Sequence, residues 1–389
     1  MLSTTTQSLL ALTFNLGSVF AGGIVSFLSY GFIESPWILA LFPPVLTIRG
    51  DIGGILSGKL GTMLNTGRAR ASFTGNTKEF YLLLKSIFVL AFLDTLGMGF
   101  FSFFLNLSIG HARVDHLLIY LFLPTFVCLA SVALAMPITV VVAILSFRRG
   151  FDPDIVVYPA VSMMNDIIVA SIFFIAVKVI ERGLLSLLAL FSLLSSVLVL
   201  GFCKIHITES FFRKTILEGV SSVFASSLLG SFSGSVLARF RLKIEALPGL
   251  IAVYPAMMSV LGGMGSIIGS ITTTKLAIGL SSSIKQRIQL FVMDAVAVEI
   301  SAFVLFSLLG FLGASFSGEL VRGTAFTLIK LSLFTNLIGF LAISLLSFIV
   351  AEGTFKRGWD PDNFVVPMVT SSADLMTTLF LFLGVYLLK

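Results

Sequence analysis

The chain has 389 residues, 57% of them hydrophobic and only 11% charged, with a mean hydropathy of +1.07. A soluble globular domain carries about 25% charged residues, so that class is excluded. The net charge of +6 is a matter of loop topology in such a chain and carries no nucleic-acid inference.

Apolar runs recur from end to end, each near the roughly 20 residues that cross about 30 Å of hydrocarbon. They do not alternate as barrel strands would, so each is predicted to be a helix. The first covers 8–31; MLSTTTQSLLALTFNLGS has no basic leader and reads as part of that span, not as a cleaved signal. Runs at 36–66, 80–108, 117–146 and 154–179 follow, then LLSLLALFSLLSSVLVLGF at 184–202. The last five cover 216–238, 248–278, 287–312, 325–350 and 362–387, giving eleven. Cys128 and Cys203 lie in or beside apolar runs without metal-ligand spacing, and read as packing residues.

The chain is written twice. PWILALFPPVLTIRGDIGG from Pro36 returns as PGLIAVYPAMMSVLGGMGS from Pro248, an offset of 212 that superposes Gly50 and Gly53 on Gly262 and Gly265. FRRGFDPDIVVYPAVSMMND returns as FKRGWDPDNFVVPMVTSSAD at an offset of 208, and Asp94 meets Asp294 at an offset of 200. The predicted fold is therefore an all-α polytopic membrane protein. Two parallel five-helix repeats, 1–181 and 205–389, flank a linking helix in 182–204. An odd number of spans reverses orientation, so the extra helix restores it and sets a pseudo-two-fold axis along the membrane normal. The basic loops favour a cytoplasmic N-terminus, in a multi-pass protein of the plasma membrane.

Embedded polar residues carry the functional expectations. Asp166 and Asp374 each lie 12 residues past a helix-opening Asp-Pro-Asp, about 18 Å along the axis and so near mid-membrane. The Asp-Pro-Asp pairs themselves read as helix caps. Packed about a two-fold axis, the two mid-span carboxylates would face each other across a central path and repel unless a cation or proton lay between them. Mg²⁺ suits such a pair, being held by one or two carboxylates and its own waters. Each could instead be protonated or hydrogen-bonded within the bundle. Asp94, Asp294 and Glu299 are also mid-span, and are candidates for lining the path or for a coupling proton or Na⁺ site, with a structural role an equal reading.

The run at 36–66 holds Arg49 and Asp51 among prolines and glycines. Gly50, Gly54 and Gly58 could form a small face for close helix packing. Alternatively the span unwinds locally and lines a cavity. The two charges favour the cavity, and since the second copy has Leu261 and Gly263 there, they act from one half only. Asn65, Ser162 and Thr370 complete the lining candidates.

PVLTIRGDIGGILSGKLGTMLNTG and PAMMSVLGGMGSIIGSITTTKLAIG, with the Pro159-to-Asp166 and Pro367-to-Asp374 spacing, resemble the MgtE superfamily of magnesium channels and transporters. The likeness covers nearly the whole chain and is nearest the tandem-duplicated branch typified by solute-carrier family 41. The family's Gly-Gly-Asn in the second helix is here Gly50-Asp51 and Gly262-Gly263. The resemblance implies five-helix repeats pairing into a pore, with Asp166 and Asp374 binding partly hydrated Mg²⁺. It implies a transporter rather than an enzyme, with metal cations and the lipid bilayer as partners. A monomer would suffice, since the pairing is internal. A Na⁺- or H⁺-coupled exchanger is the alternative within transport. An intramembrane aspartyl protease is a remote third, lacking its Gly-x-Gly-Asp motif.

Overall fold

The computed structural model describes residues 2–28, 34–149, 153–277, 283–316, 322–357 and 361–388. Helices run in order as α1 (Leu2–Thr13), α2 (Ser18–Ser26), α3 (Trp37–Asn65), α4 (Lys78–Ile109), α5 (Leu117–Arg148), α6 (Pro153–Glu181) and α7 (Leu185–His206). Then come α8 (Ser210–Arg239), a short α9 (Arg241–Ala246), α10 (Pro248–Ala277), α11 (Ile284–Phe316), α12 (Arg322–Lys356) and α13 (Pro361–Leu387). A 3-10 turn at Phe14–Gly17 joins α1 to α2. Among the described residues eleven segments are long and apolar enough to cross a membrane, α1–α2 counting as one, and they coincide with the eleven predicted runs.

Prolines open α6 and α13, where a missing N–H costs nothing. Asp152 and Asp360, read as their caps, lie outside the described residues.

The run at 36–66 is not broken. α3 is continuous from Trp37 to Asn65, with Pro43 and Pro44 inside it, so local unwinding does not occur. Gly50 and Gly58 do not serve close packing: a Cβ added at either would meet nothing within 4 Å. The charges are accommodated by burial, Arg49 at 6% exposure and Asp51 at 2%.

The helices sort into two compact units, Tyr30–Arg241 and a discontinuous one made of Met1–Ser29 with Leu242–Lys389. In the contiguous unit α3 is the core, packed by α4, α5, α6 and α8, with α7 against α4 and α5. In the discontinuous unit α10 holds that place, packed by α2, α11, α12 and α13, while α1 lies on α11. The division at 181–205 follows the sequence repeats; the compact units follow the packing. They differ because the first span of each repeat is built into the unit that holds the rest of the other repeat.

Glycine explains how those exchanged helices dock. A Cβ on Gly234 of α8 would overlap the Ala40 carbonyl of α3, and one on Gly230 would come within 2.9 Å of the Pro44 Cα. A Cβ on Gly22 of α2 would overlap the Ala252 carbonyl of α10 in the same way. Gly22 and Gly234, like Ala40 and Ala252, are 212 positions apart. Lipid supplies no hydrophobic drive between helices, so backbones gain their contact by approaching where side chains are absent.

α7 is peripheral. It buries Leu188, Ser192, Ser195 and Val199, spaced four, three and four along one stripe, while Leu187, Leu190, Leu193, Leu194 and Leu200 are more than half exposed. Small serines inward and leucines outward suit a helix that faces lipid.

Candidate cation site

On α3, Arg49 and Gly53 share a face, one turn apart; on α6, Ser162 and Asp166 do the same. Because α3 and α6 pack together, these faces meet. The Arg49 guanidinium forms an ion pair with the Asp166 carboxylate, their side chains only 6% and 3% exposed. A Cβ at Gly53 would lie 3.6 Å from the Asn165 amide nitrogen. Asn165 is itself buried, and its carbonyl oxygen has no hydrogen-bond partner. Ser162 is buried one turn before Asp166. Asp51 is two residues on from Arg49, about 200° around the helix, so it does not share the face that meets Asp166.

The equivalent region of the other unit is built differently. α10 and α13 pack together, and a Cβ on Gly262 would sit 3.6 Å from Thr370. Gly265 is enclosed by Val369, Ile343 and Ser347, and the Ser347 hydroxyl donates to its carbonyl at 3.0 Å. Asp374 is half-buried. Its backbone carbonyl accepts from the Thr378 hydroxyl at 2.8 Å, and that hydroxyl lies 2.6 Å from the Tyr254 phenol of α10. Leu261 stands where the first copy has arginine. The arginine that pairs with Asp166 thus has no sequence counterpart in the second copy.

The remaining candidates scatter. Asp94 on α4 is buried and accepts a hydrogen bond from the Ser227 hydroxyl of α8. Asp294, its counterpart on α11, instead pairs with the Lys275 ammonium of α10. That pair lines a cavity of about 20 Å³ together with Arg287 and Glu352, themselves 2.7 Å apart. Lys275, Arg287 and Glu352 correspond to Met63, Ile87 and Ile144, so this charge cluster belongs to one half. Glu299 accepts a hydrogen bond from the Asn336 amide of α12 at 2.7 Å. Asn65 ends α3 and is exposed there.

Sequence reasoning missed Asn165, Ser227, Lys275 and Asn336. Asn336 carried a usable signal, a carboxamide in the middle of an apolar run. Ser227 had only its alignment with Asn15, which donates to the Ser259 carbonyl at 3.0 Å in the discontinuous unit.

A sequence model of the MgtE family, described as a divalent cation transporter, matches residues 42–176 and again 254–384, the greater part of the chain. Solute carrier family 41 member 3 of Mus musculus is 23% identical over 383 residues, covering 90% of this chain and 75% of the relative. The protein of the same name in Rattus norvegicus is 23% identical over 415 residues, covering 97% and 86%. No solved structure matches.

Proposed function

This chain belongs to the MgtE family of divalent cation transporters, and from that premise we propose that it carries Mg²⁺ across the plasma membrane. Asp166 and Asp374 serve as ligands, and Arg49 is a tethered counter-charge. The observation that carries the reading is the buried ion pair of Arg49 with Asp166. A mid-span carboxylate that binds cations must be neutralised when no ion is present, because an unpaired charge in the membrane is expensive. A guanidinium on the neighbouring helix meets that need and moves aside as a doubly charged ion arrives. Asp374 recurs at the same motif position, with Leu261 where the first copy has Arg49, so the tethered counter-charge is a feature of the first copy.

Mg²⁺ keeps most of its waters and takes one or two carboxylates. Among the described residues no three His, Cys, Asp or Glu side chains gather into a cage, and the reading requires none. Ser162 and Thr370, one turn before each aspartate, offer hydroxyls to the ion's water shell. The N-terminus is cytoplasmic and one chain makes the complete path, as the internal duplication suggests.

The test is Mg²⁺ flux into proteoliposomes with and without an imposed Na⁺ gradient. Asp166→Asn and Asp374→Asn should each lower flux by tenfold or more on the scale of losing a charged ligand. Unchanged flux in the double variant would remove both residues from the ion path. Flux that requires the gradient would make the protein an exchanger.

A further inference from the structure

Glu299 and Asn336 are joined by one hydrogen bond, from the Asn336 amide to Glu299 Oε1 at 2.7 Å. The two remaining oxygens, Glu299 Oε2 and Asn336 Oδ1, are both buried and neither has a hydrogen-bond partner. Asn336 is completely enclosed. Two acceptors thus remain on a pair of side chains already joined by one bond, and one hydrogen could serve both.

From this geometry we propose that Glu299 and Asn336 form a proton-binding site between α11 and α12, in which Glu299 is a carboxylic acid at neutral pH. A hydrogen on Oε2 donates to Asn336 Oδ1 and closes the second bond of an acid–amide pair. Proton binding converts the carboxylate to the neutral acid with no other bond made or broken. The neutral form satisfies both otherwise unpaired oxygens, and a polar group left unpaired in the interior is costly. A metal ion is a poor occupant, since a hard cation wants about six oxygens and this pair offers two.

The charged groups on the surrounding elements do not compensate Glu299. α1 has no titratable side chain. α10 brings Tyr254, bonded to Thr378, and Lys275, paired with Asp294. On α12, Lys330 lies over the Phe326 ring, and Glu352 holds Arg287 and Lys356; the Arg322 side chain lies outside the described residues. α11 itself adds Lys285, Arg287 and Asp294. Among the described residues none of these pairs with Glu299.

Both residues lie deep in their helices, Glu299 roughly 22 Å from the start of α11 and Asn336 roughly 21 Å from the start of α12. Their counterparts in the first repeat are Gly99 and Cys128, so the proton site belongs to one half of the molecule. It does not depend on Asp166 or Asp374 being metal ligands, and its test reads no transport.

Infrared difference spectroscopy of the full chain in lipid, wild type against Glu299→Gln, isolates this one carboxyl. At neutral pH the difference should show loss of a protonated-acid carbonyl band, well separated from carboxylate bands. Glutamine reproduces the donor and acceptor pattern of the acid, so the variant should fold. Asn336→Leu should shift that band to the position of a less hydrogen-bonded acid. A difference spectrum that shows loss of carboxylate bands alone would overturn the proposal. So would a band that Asn336→Leu leaves in place.

Discussion

An arginine and an aspartate buried side by side within a membrane protein each lose their hydration, and only good pairing offsets that loss. Arg49 and Asp166 are in that position. Removing one partner of a buried ion pair costs about 3–5 kcal/mol. Asp166→Asn is therefore expected to lower stability as well as flux, which would confuse the two roles. Adding Arg49→Leu separates them: the double variant should recover most of the stability, read as thermal unfolding in detergent, and none of the flux. A double variant as unstable as the single one would mean that the pair is not what holds these charges in place. Arg49→Leu alone makes the first copy resemble the second, which has Leu261. It should strengthen apparent Mg²⁺ affinity, because the ion no longer competes with a tethered cation.

At the scale of the helix, a four-residue glycine spacing does not by itself decide whether backbones approach closely. Gly50, Gly54 and Gly58 draw the eye at a spacing of four, yet a Cβ at Gly50 or Gly58 has open space. Gly22, and Gly234 four residues after Gly230, press directly on the carbonyls of Ala252 and Ala40. Gly22→Leu and Gly234→Leu should each destabilise by about 1–3 kcal/mol through overpacking. Gly58→Ala should be neutral or stabilise by up to about 1 kcal/mol, since alanine is the better helix former. Thermal unfolding of the three variants checks the contrast. Comparable losses at Gly58 and Gly234 would contradict the close approach of α8 to α3.

For the whole molecule, duplication in the chain and compactness in space are organised differently. The contiguous unit takes α8 from the second repeat, and the discontinuous unit takes α1 and α2 from the first. The docking is repeated, the same glycine against the same alanine carbonyl in each. Asp94→Cys with Ser227→Cys, which join α4 to α8, and Thr5→Cys with Ser301→Cys, which join α1 to α11, should each form a disulfide on mild oxidation once Cys128 and Cys203 are replaced. Peptide mass spectrometry reads both links. If the first helix of each repeat packed within its own repeat, neither link would form.

Span number, the duplication and the mid-span aspartates are all legible without a structure. Hydropathy reports the solvent of each segment, and a motif stated twice identifies itself. The oddity of Arg49 was also visible, because the second copy supplies its own control in Leu261. What only the tertiary structure decided is which residues meet. Arg49 reaches Asp166, Asp94 reaches Ser227, Asp294 reaches Lys275 and Glu299 reaches Asn336. Each contact joins two helices, and helical periodicity fixes the face a residue occupies but not the neighbour that face will find. Nor does periodicity predict the exchange of first helices. That depends on where a backbone can approach closely, which is a matter of two surfaces fitting together.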